Sequence, residues 1–208
     1  MKIGIIREGK TPPDSRVCFT PEQCKQLLEK FPSIDLLVQK SPVRCYEDSE
    51  YEAAGIRMGE DMSDRDVLFG IKEVLKKDLI ADKIYFYFSH TIKEQPYNRA
   101  LLQKMMEKNI RMIDYETITD DNKRLIGFGK YAGIVGAHNG VRAYGIKTKT
   151  FDLSEAHKTK GFQALKEEYQ QTKFPPMKVV STGNGKVAYG AKETLEAMNF
   201  QEVSPEDL

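Results

Sequence analysis

The sequence predicts an α/β protein: a mostly parallel sheet flanked by helices, followed by the start of a second lobe of the same kind. Two observations predict this. Through roughly the first 120 residues, apolar runs of strand length alternate with stretches whose apolar residues recur every three or four positions. Parallel strands need crossover connections, so such an alternation folds into a sheet covered on both faces. Further along, a glycine-rich turn separates another apolar run from another amphipathic stretch.

Residues 2–7 open the chain as a short buried strand carrying Ile3, Ile5 and Ile6, and a polar turn with Pro12 and Pro13 follows. Thr20, Pro21 and Gln23 then have the pattern of a capping box. Thr20 accepts from the freed N–H of Gln23, Pro21 takes the first helical position and Gln23 reaches back. The helix they open carries Cys24, Leu27, Leu28 and Phe31 on one face. Residues 34–38 form the next strand, 51–54 a short helix ended by Gly55, and 56–58 another strand. The runs 67–71 and 84–88 have strand length, and the second is rich in aromatics, which suit a packed, pleated surface. A helix over 98–108 faces Leu101, Leu102, Met105 and Met106 inward, and 110–118 is a further strand.

Between 128 and 145 the pattern changes. Glycines at 129, 133, 136, 140 and 145 interrupt a helical stretch, each costing about 1 kcal/mol against alanine in a helix interior. Small residues so spaced let another backbone approach, so the segment reads as a packing or hinge helix, with a loop-rich linker as the alternative. The charged segment 154–173 reads as a linker containing a helix with Phe162, Leu165 and Tyr169, closed by Pro175 and Pro176. Residues 177–180 then read as a strand leading into G-x-G-x-x-A, formed by Gly183, Gly185 and Ala188, and a helix follows. In that context Gly183 permits the tight turn, Gly185 admits a pyrophosphate and Ala188 keeps helix and strand close. The phosphates would sit on the free N–H groups of the helix start. The bland alternative is a plain strand-to-helix connection.

The acidic residue that holds a ribose in such folds stands about 20 residues beyond the glycines. Glu206 and Asp207 fall near that distance. Yet only ten residues follow Met198, where a doubly wound nucleotide domain needs roughly 100 or more. The expected organisation is therefore a substrate-side Rossmann- or flavodoxin-like domain over 1–150 and a linker over 151–176. Residues 177–208 begin an incomplete Rossmann-type domain, which on its own would bind a dinucleotide poorly.

Composition narrows the function classes. The 208 residues carry 32 Lys and Arg against 31 Asp and Glu, a net charge of +1. That balance excludes a dedicated nucleic-acid binder, which must neutralise many phosphates. No apolar run approaches the roughly 18–20 residues of a membrane span, and the N-terminal stretch is too short for a secretory signal. Cys18, Cys24 and Cys45 show no C-x-x-C spacing and read as reduced thiols of a cytoplasmic protein. The histidines have no metal spacing, so no metal is expected; His138 reads as a packed helix residue and His157 as solvated.

Several charged residues stand just past apolar strands, where ligands bind in open α/β sheets. They are Arg16 after the first strand, Lys72 and Glu73 after the run ending at Ile71, His90 and Lys93 after the aromatic strand, Glu116 near the end of the strand from Ile110, and Arg124 beyond it. Each alone has the bland reading of surface charge. Together they suggest an acid–base pair of lysine and histidine, with arginines able to clamp carboxylates bidentately.

These residues, in their order, carry a resemblance. Arg16 in S-R-V-C-F-T-P, Lys72 and Glu73 in I-K-E, His90 and Lys93 in H-T-I-K-E-Q, Glu116 in Y-E-T-I and Arg124 in K-R-L-I-G-F-G-K-Y-A-G are followed by the Gly183 turn. From residue 1 to about 200 the chain resembles the lysine-forming saccharopine dehydrogenases, within the wider alanine dehydrogenase and transhydrogenase N-terminal family. The resemblance implies an NAD-dependent oxidoreductase acting on a C–N bond, NADP remaining an alternative. It implies a small amino-acid or oxo-acid substrate and is compatible with an oligomer. Carried over by position, Lys72 and His90 would be the acid–base residues, Arg16, Lys93 and Arg124 would hold substrate carboxylates, and Glu73 and Glu116 would tune the charges. Gly183, Gly185 and Ala188 would form the pyrophosphate turn. Two other readings stay open: a non-catalytic binding module that keeps the fold, and a transhydrogenase-branch subunit.

Overall fold

The structure, a computed structural model, describes residues 1–204. The chain divides into two compact units, Met1–Ile126 and Gly127–Leu208. The glycine-rich helix therefore groups with the second unit, and so does the segment expected to be a linker.

In the first unit, β1 (Lys2–Ile5), β2 (Asp35–Gln39), β3 (Met58–Gly59), β4 (Val67–Phe69), β5 (Ile84–Tyr87) and β6 (Arg111–Asp114) form one sheet. Its order is β3-β2-β1-β4-β5-β6 and every pairing is parallel. The register aligns Ile3 with Leu36 and Val67, and Phe69 with Phe86. Strand alternation divides the apolar side chains between two faces. Ile3, Ile5, Leu36, Val38 and Val67 pack under α1 (Pro21–Lys30) and α2 (Asp48–Ala53), against Cys24 and Tyr51. Leu68, Tyr85 and Tyr87 pack under α3 (Arg99–Glu107), against Leu101 and Met105. Each fully buried large side chain contributes roughly 1.5–3 kcal/mol by leaving water, so both helical layers are held chiefly by these faces. The capping box forms as its residues dictate: Gln23 N–H donates to Thr20 Oγ1 at 3.2 Å and Thr20 N–H to Gln23 Oε1 at 2.9 Å.

The expected strand over 110–118 is shorter. β6 stops at Asp114, whose carboxylate accepts from the Glu116 N–H and turns the chain into a single 3-10 turn, Tyr115–Thr117. A two-stranded hairpin follows, β7 (Thr119–Asp120) against β8 (Lys123–Arg124). Asp121 and Asn122 form its turn with φ of +43° and +59°, the left-handed backbone that twisted two-residue hairpins require.

The second unit contains α4 (Gly129–Thr148), α5 (Phe162–Gln171) and α6 (Lys186–Ala197). The glycine-rich stretch is one continuous helix, not a linker. It packs tightly on α6: a Cβ at Gly133 would run into the Val187 carbonyl and one at Gly190 into the Lys130 carbonyl. Val141, Leu153, Leu165, Tyr169 and Met198 form the core of this unit. His138 is fully buried, with Nδ1 2.8 Å from the Tyr169 hydroxyl and Nε2 2.9 Å from the Ser154 carbonyl. It is a packed, hydrogen-bonded core residue, while His157 is exposed beside Glu155.

Residues 177–180 were expected to be a strand and carry no strand pairing here. A strand exists by its ladder, and among the described residues no neighbouring strand offers one to this apolar segment. Ala188 consequently has no strand to hold close. The residue of α6 that makes the close approach is Gly190, and its partner is α4.

Candidate active site

The sheet order creates a switch point. The chain leaves β1 toward β2 on one side and returns to β4 on the other, so the loops after β1 and β4 diverge at the strands' C-terminal ends, the place where open α/β sheets bind ligands. The polar residues singled out in the first unit follow β1, β4, β5 and β6, all parallel, and so emerge at one edge.

Glu8, three residues past β1, spans the switch point. Its Oε1 accepts from the Ile71 N–H at 2.7 Å and its Oε2 from the Lys72 N–H at 2.9 Å. Burial pushes the Glu8 carboxyl above the ordinary glutamate range, against the pull of those two backbone bonds. Lys72 is thereby fixed through its backbone, and its charge is one of the influences that hold Asp14 low, after the dominant Arg16 hydrogen bond.

Glu73 is the hub beside it. Oε1 lies 2.7 Å from His90 Nδ1 and Oε2 lies 2.6 Å from Lys10 Nζ. Burial is the largest single influence on its pKa and acts upward, but the Lys10 and His90 bonds, a backbone hydrogen bond and the Lys10 charge together hold the carboxyl below the usual range. An ionised carboxylate only accepts, so His90 donates from Nδ1, which leaves Nε2 as the ring atom free to exchange a proton with a ligand. The His90 backbone is left-handed, φ +57°, a conformation that costs a non-glycine residue about 1–2 kcal/mol. Asn98 Nδ2 donates to its carbonyl at 3.2 Å.

The cations expected to hold substrate carboxylates already face carboxylates of the chain. Arg16 Nε donates to Asp14 Oδ1 at 2.8 Å and Nη2 bonds Asp14 Oδ2, a bidentate fork. Lys93 Nζ and Arg124 Nη2 each lie 3.3 Å from Glu116 Oε1, Arg124 being delivered by the β7–β8 hairpin. Glu116 thus pairs with both Lys93 and Arg124. Its Oε2 is buried without a hydrogen-bond partner.

Sequence reasoning missed Glu8, Lys10, Asp14, Ser89 and Asp114. Asp14 left a local signal, two residues before Arg16. For Glu8 the only local hint is an acid directly after a buried strand. Lys10, Ser89 and Asp114 act across strands, and no spacing along the chain reveals them. In the second unit, Gly183 has φ +92° and Gly185 is the extended N-cap of α6 without a side-chain cap, while Ala188 lies half-buried in the first turn. Glu206 and Asp207 lie outside the described residues.

The comparisons with known proteins agree with this architecture. The profile of the family described as alanine dehydrogenase/PNT, N-terminal domain, matches residues 4–135. The chain belongs to this family. The mitochondrial alpha-aminoadipic semialdehyde synthase of Rattus norvegicus is 32% identical over 225 aligned positions, covering 99% of this chain and 24% of that protein. The saccharopine dehydrogenase [NAD(+), L-lysine-forming] of Yarrowia lipolytica is 29% identical over 154 positions, covering 71% of this chain and 41% of that one. The chain thus spans about a quarter of the length of the semialdehyde synthases it matches. Among solved structures, an L-alanine dehydrogenase superposes with a TM-score of 0.65 at 20% identity, over 95% of this chain and 53% of its own. A transhydrogenase from Sinorhizobium meliloti superposes with 0.53 at 18% identity, over 69% and 44%. Both show the shared fold. Among the described residues no helix is long and apolar enough to cross a membrane.

Proposed function

We propose that this chain carries the substrate side of an NAD(P)-dependent dehydrogenase of the saccharopine type, oxidising a C–N bond of an amino-acid substrate. The observation that carries the reading is the Glu73–His90 hydrogen bond directly beside Lys72 at the sheet's switch point. Oxidative deamination needs two proton-transfer groups, one for the substrate nitrogen and one for the water that opens the imine. His90 has the required tautomer, and Lys72 sits one residue from the carboxylate that sets it. Arg16, Lys93 and Arg124 supply cations for substrate carboxylates.

The turn of the second unit fits the pyrophosphate of a nicotinamide dinucleotide. Gly183 takes a left-handed backbone, no side chain crowds Gly183 or Gly185, and α6 begins without a side-chain cap. Gly183, Gly185 and Ala188 would hold it, and the bound nicotinamide would accept the hydride. Three free thiols, one buried, one half-buried and one exposed, support a reducing compartment such as the cytoplasm.

The test is amide NMR of the labelled 208-residue chain titrated with saccharopine, then with alanine. Saccharopine-dependent shifts clustered at residues 72–73, 89–93 and 116 are expected. Saturating ligand that leaves all of these unmoved would overturn the reading. In the protein that carries the activity, Lys72→Met is expected to cut turnover by about 10²-fold or more.

A further inference from the structure

We propose that Asp114 is a positioning residue that ties the loop carrying His90 to the loop carrying Glu116 and so holds the His90 ring on Glu73; this deepens the dehydrogenase reading and rests on it for the catalytic consequence alone. Asp114 ends β6 and is 7% exposed. Its Oδ2 accepts two hydrogen bonds from Ser89, the backbone N–H at 3.0 Å and the hydroxyl at 2.5 Å. Its Oδ1 accepts from the Glu116 N–H at 2.7 Å. One buried carboxylate therefore joins the loop after β5 to the loop after β6, one residue before His90 and at Glu116 itself.

The arrangement extends outward. Ser89 is fully buried, and its Oγ accepts from the Thr91 N–H at 3.1 Å. His90 is thus bracketed: the residue before it is tied to Asp114, and the residue after it is tied to the same serine. Between them its left-handed backbone directs the ring at Glu73. A backbone held away from its preferred region persists only where its surroundings over-determine it, and Asp114 with Ser89 supplies that determination. The three donors also explain the residue type. An asparagine has one accepting oxygen and an NH2, so it leaves the Ser89 side or the Glu116 N–H facing another donor. A glutamate is one methylene too long for a gap set by the fixed β5–β6 register.

Asp114 is not offered as a proton donor or acceptor for substrate. It makes three internal hydrogen bonds, and its action on chemistry runs through His90 and Glu116.

The test reads the ring of His90 in the 208-residue chain labelled with nitrogen-15 histidine, without substrate or dinucleotide, the His90 signals being assigned with His90→Gln. The unchanged chain is expected to show a protonated Nδ1 and an unprotonated Nε2, the signature of donation to Glu73. In Asp114→Asn and Ser89→Ala the two nitrogen signals are expected to move toward the averaged pattern of a free imidazole. In Asp114→Asn, exchange of the Ser89 and Glu116 amides is expected to accelerate about tenfold to a hundredfold. Core methyl signals of Ile3, Val38 and Leu68 should stay in place, which a general loss of structure would not allow. Should Asp114→Asn fail to fold, Ser89→Ala decides alone, since it removes one hydroxyl and leaves the Glu116 bond. An unaltered His90 ring pattern in the folded variants overturns the proposal. So does an equal ring shift in Thr117→Val, which loses only a bond to the Asp114 carbonyl. Absence of any saccharopine response would remove the dehydrogenase reading and leave these ring signals as they are.

Discussion

Four alanine substitutions along one helix pair should divide by sign. At Gly133 an added Cβ overlaps the Val187 carbonyl oxygen and lies 2.8 Å from the Ala191 nitrogen. At Gly190 it overlaps the Lys130 carbonyl oxygen and lies 2.9 Å from the carbonyl carbon. These are backbone atoms and no rotamer change moves them, so α4 and α6 must part. Overpacking of this kind costs about 1–3 kcal/mol, and the upper half applies where nothing flexible can yield. The helical preference of alanine over glycine returns up to about 1 kcal/mol, leaving Gly133→Ala and Gly190→Ala destabilising by about 1–2 kcal/mol. At Gly136 and Gly140 nothing lies within 4 Å of the added Cβ, so only the gain remains, about 0.5–1 kcal/mol. For a unit of this size each kcal/mol moves the midpoint by about 4–8 °C. Thermal unfolding followed by circular dichroism should therefore show Gly133→Ala and Gly190→Ala melting about 4–16 °C lower, and Gly136→Ala and Gly140→Ala about 2–8 °C higher. Shifts of the same sign at all four positions would refute the close crossing of α4 and α6.

The remaining expectations concern the first unit. Glu73→Gln should lower stability by about 1 kcal/mol at neutral pH, Lys10 being partly solvated. Because the folded Glu73 pKa is depressed, its contribution is present above the unfolded value near 4.5 and lost as pH falls through the folded one; melts of both proteins across pH should converge in acid. Glu8→Ala removes the acceptor of two consecutive amides, so hydrogen exchange at Ile71 and Lys72 should accelerate about tenfold or more. A thiol reagent should modify Cys45 alone in the folded chain, burial having pushed both Cys18 and Cys24 up to about 12; mass spectrometry giving more than one adduct before unfolding would contradict this.

What was legible in the sequence was what depends on neighbours along the chain. The capping box at Thr20 and Gln23 needs three residues, and the alternation that sends Val67 and Phe69 to one face and Leu68 to the other needs three more; both stand in the structure as written. The polar residues after strands were legible as a set because parallel strands end together. Their partners were not. Glu8 meets Ile71 and Lys72 across 63 and 64 positions, and Asp114 meets Ser89 across 25. Sequence pattern has no term for such distances until strand order is known. The segment 177–180 shows the converse failure: its composition is that of a strand, but a strand is a property of a ladder, and composition supplies only one side of it.

The internal ion pairs bear on how such a site would take a substrate. Arg16 is forked onto Asp14, Lys10 onto Glu73, and Lys93 and Arg124 share Glu116. A substrate carboxylate arriving there does not meet bare cations. It meets guanidinium and ammonium groups whose orientation is already set, so little side-chain entropy remains to be lost on binding. Arginine has five donors, and the fork on Asp14 uses Nε and Nη2 of Arg16. At Glu116 the balance differs, since two cations share one carboxylate oxygen while the other oxygen is buried and unbonded. Two cations gathered on one carboxylate make the Lys93–Arg124 side the stronger attractor for an incoming carboxylate. Arg124→Ala should then weaken saccharopine binding more than Arg16→Ala, and NMR titration of the two variants giving the reverse order would place the leading carboxylate contact at the switch point instead.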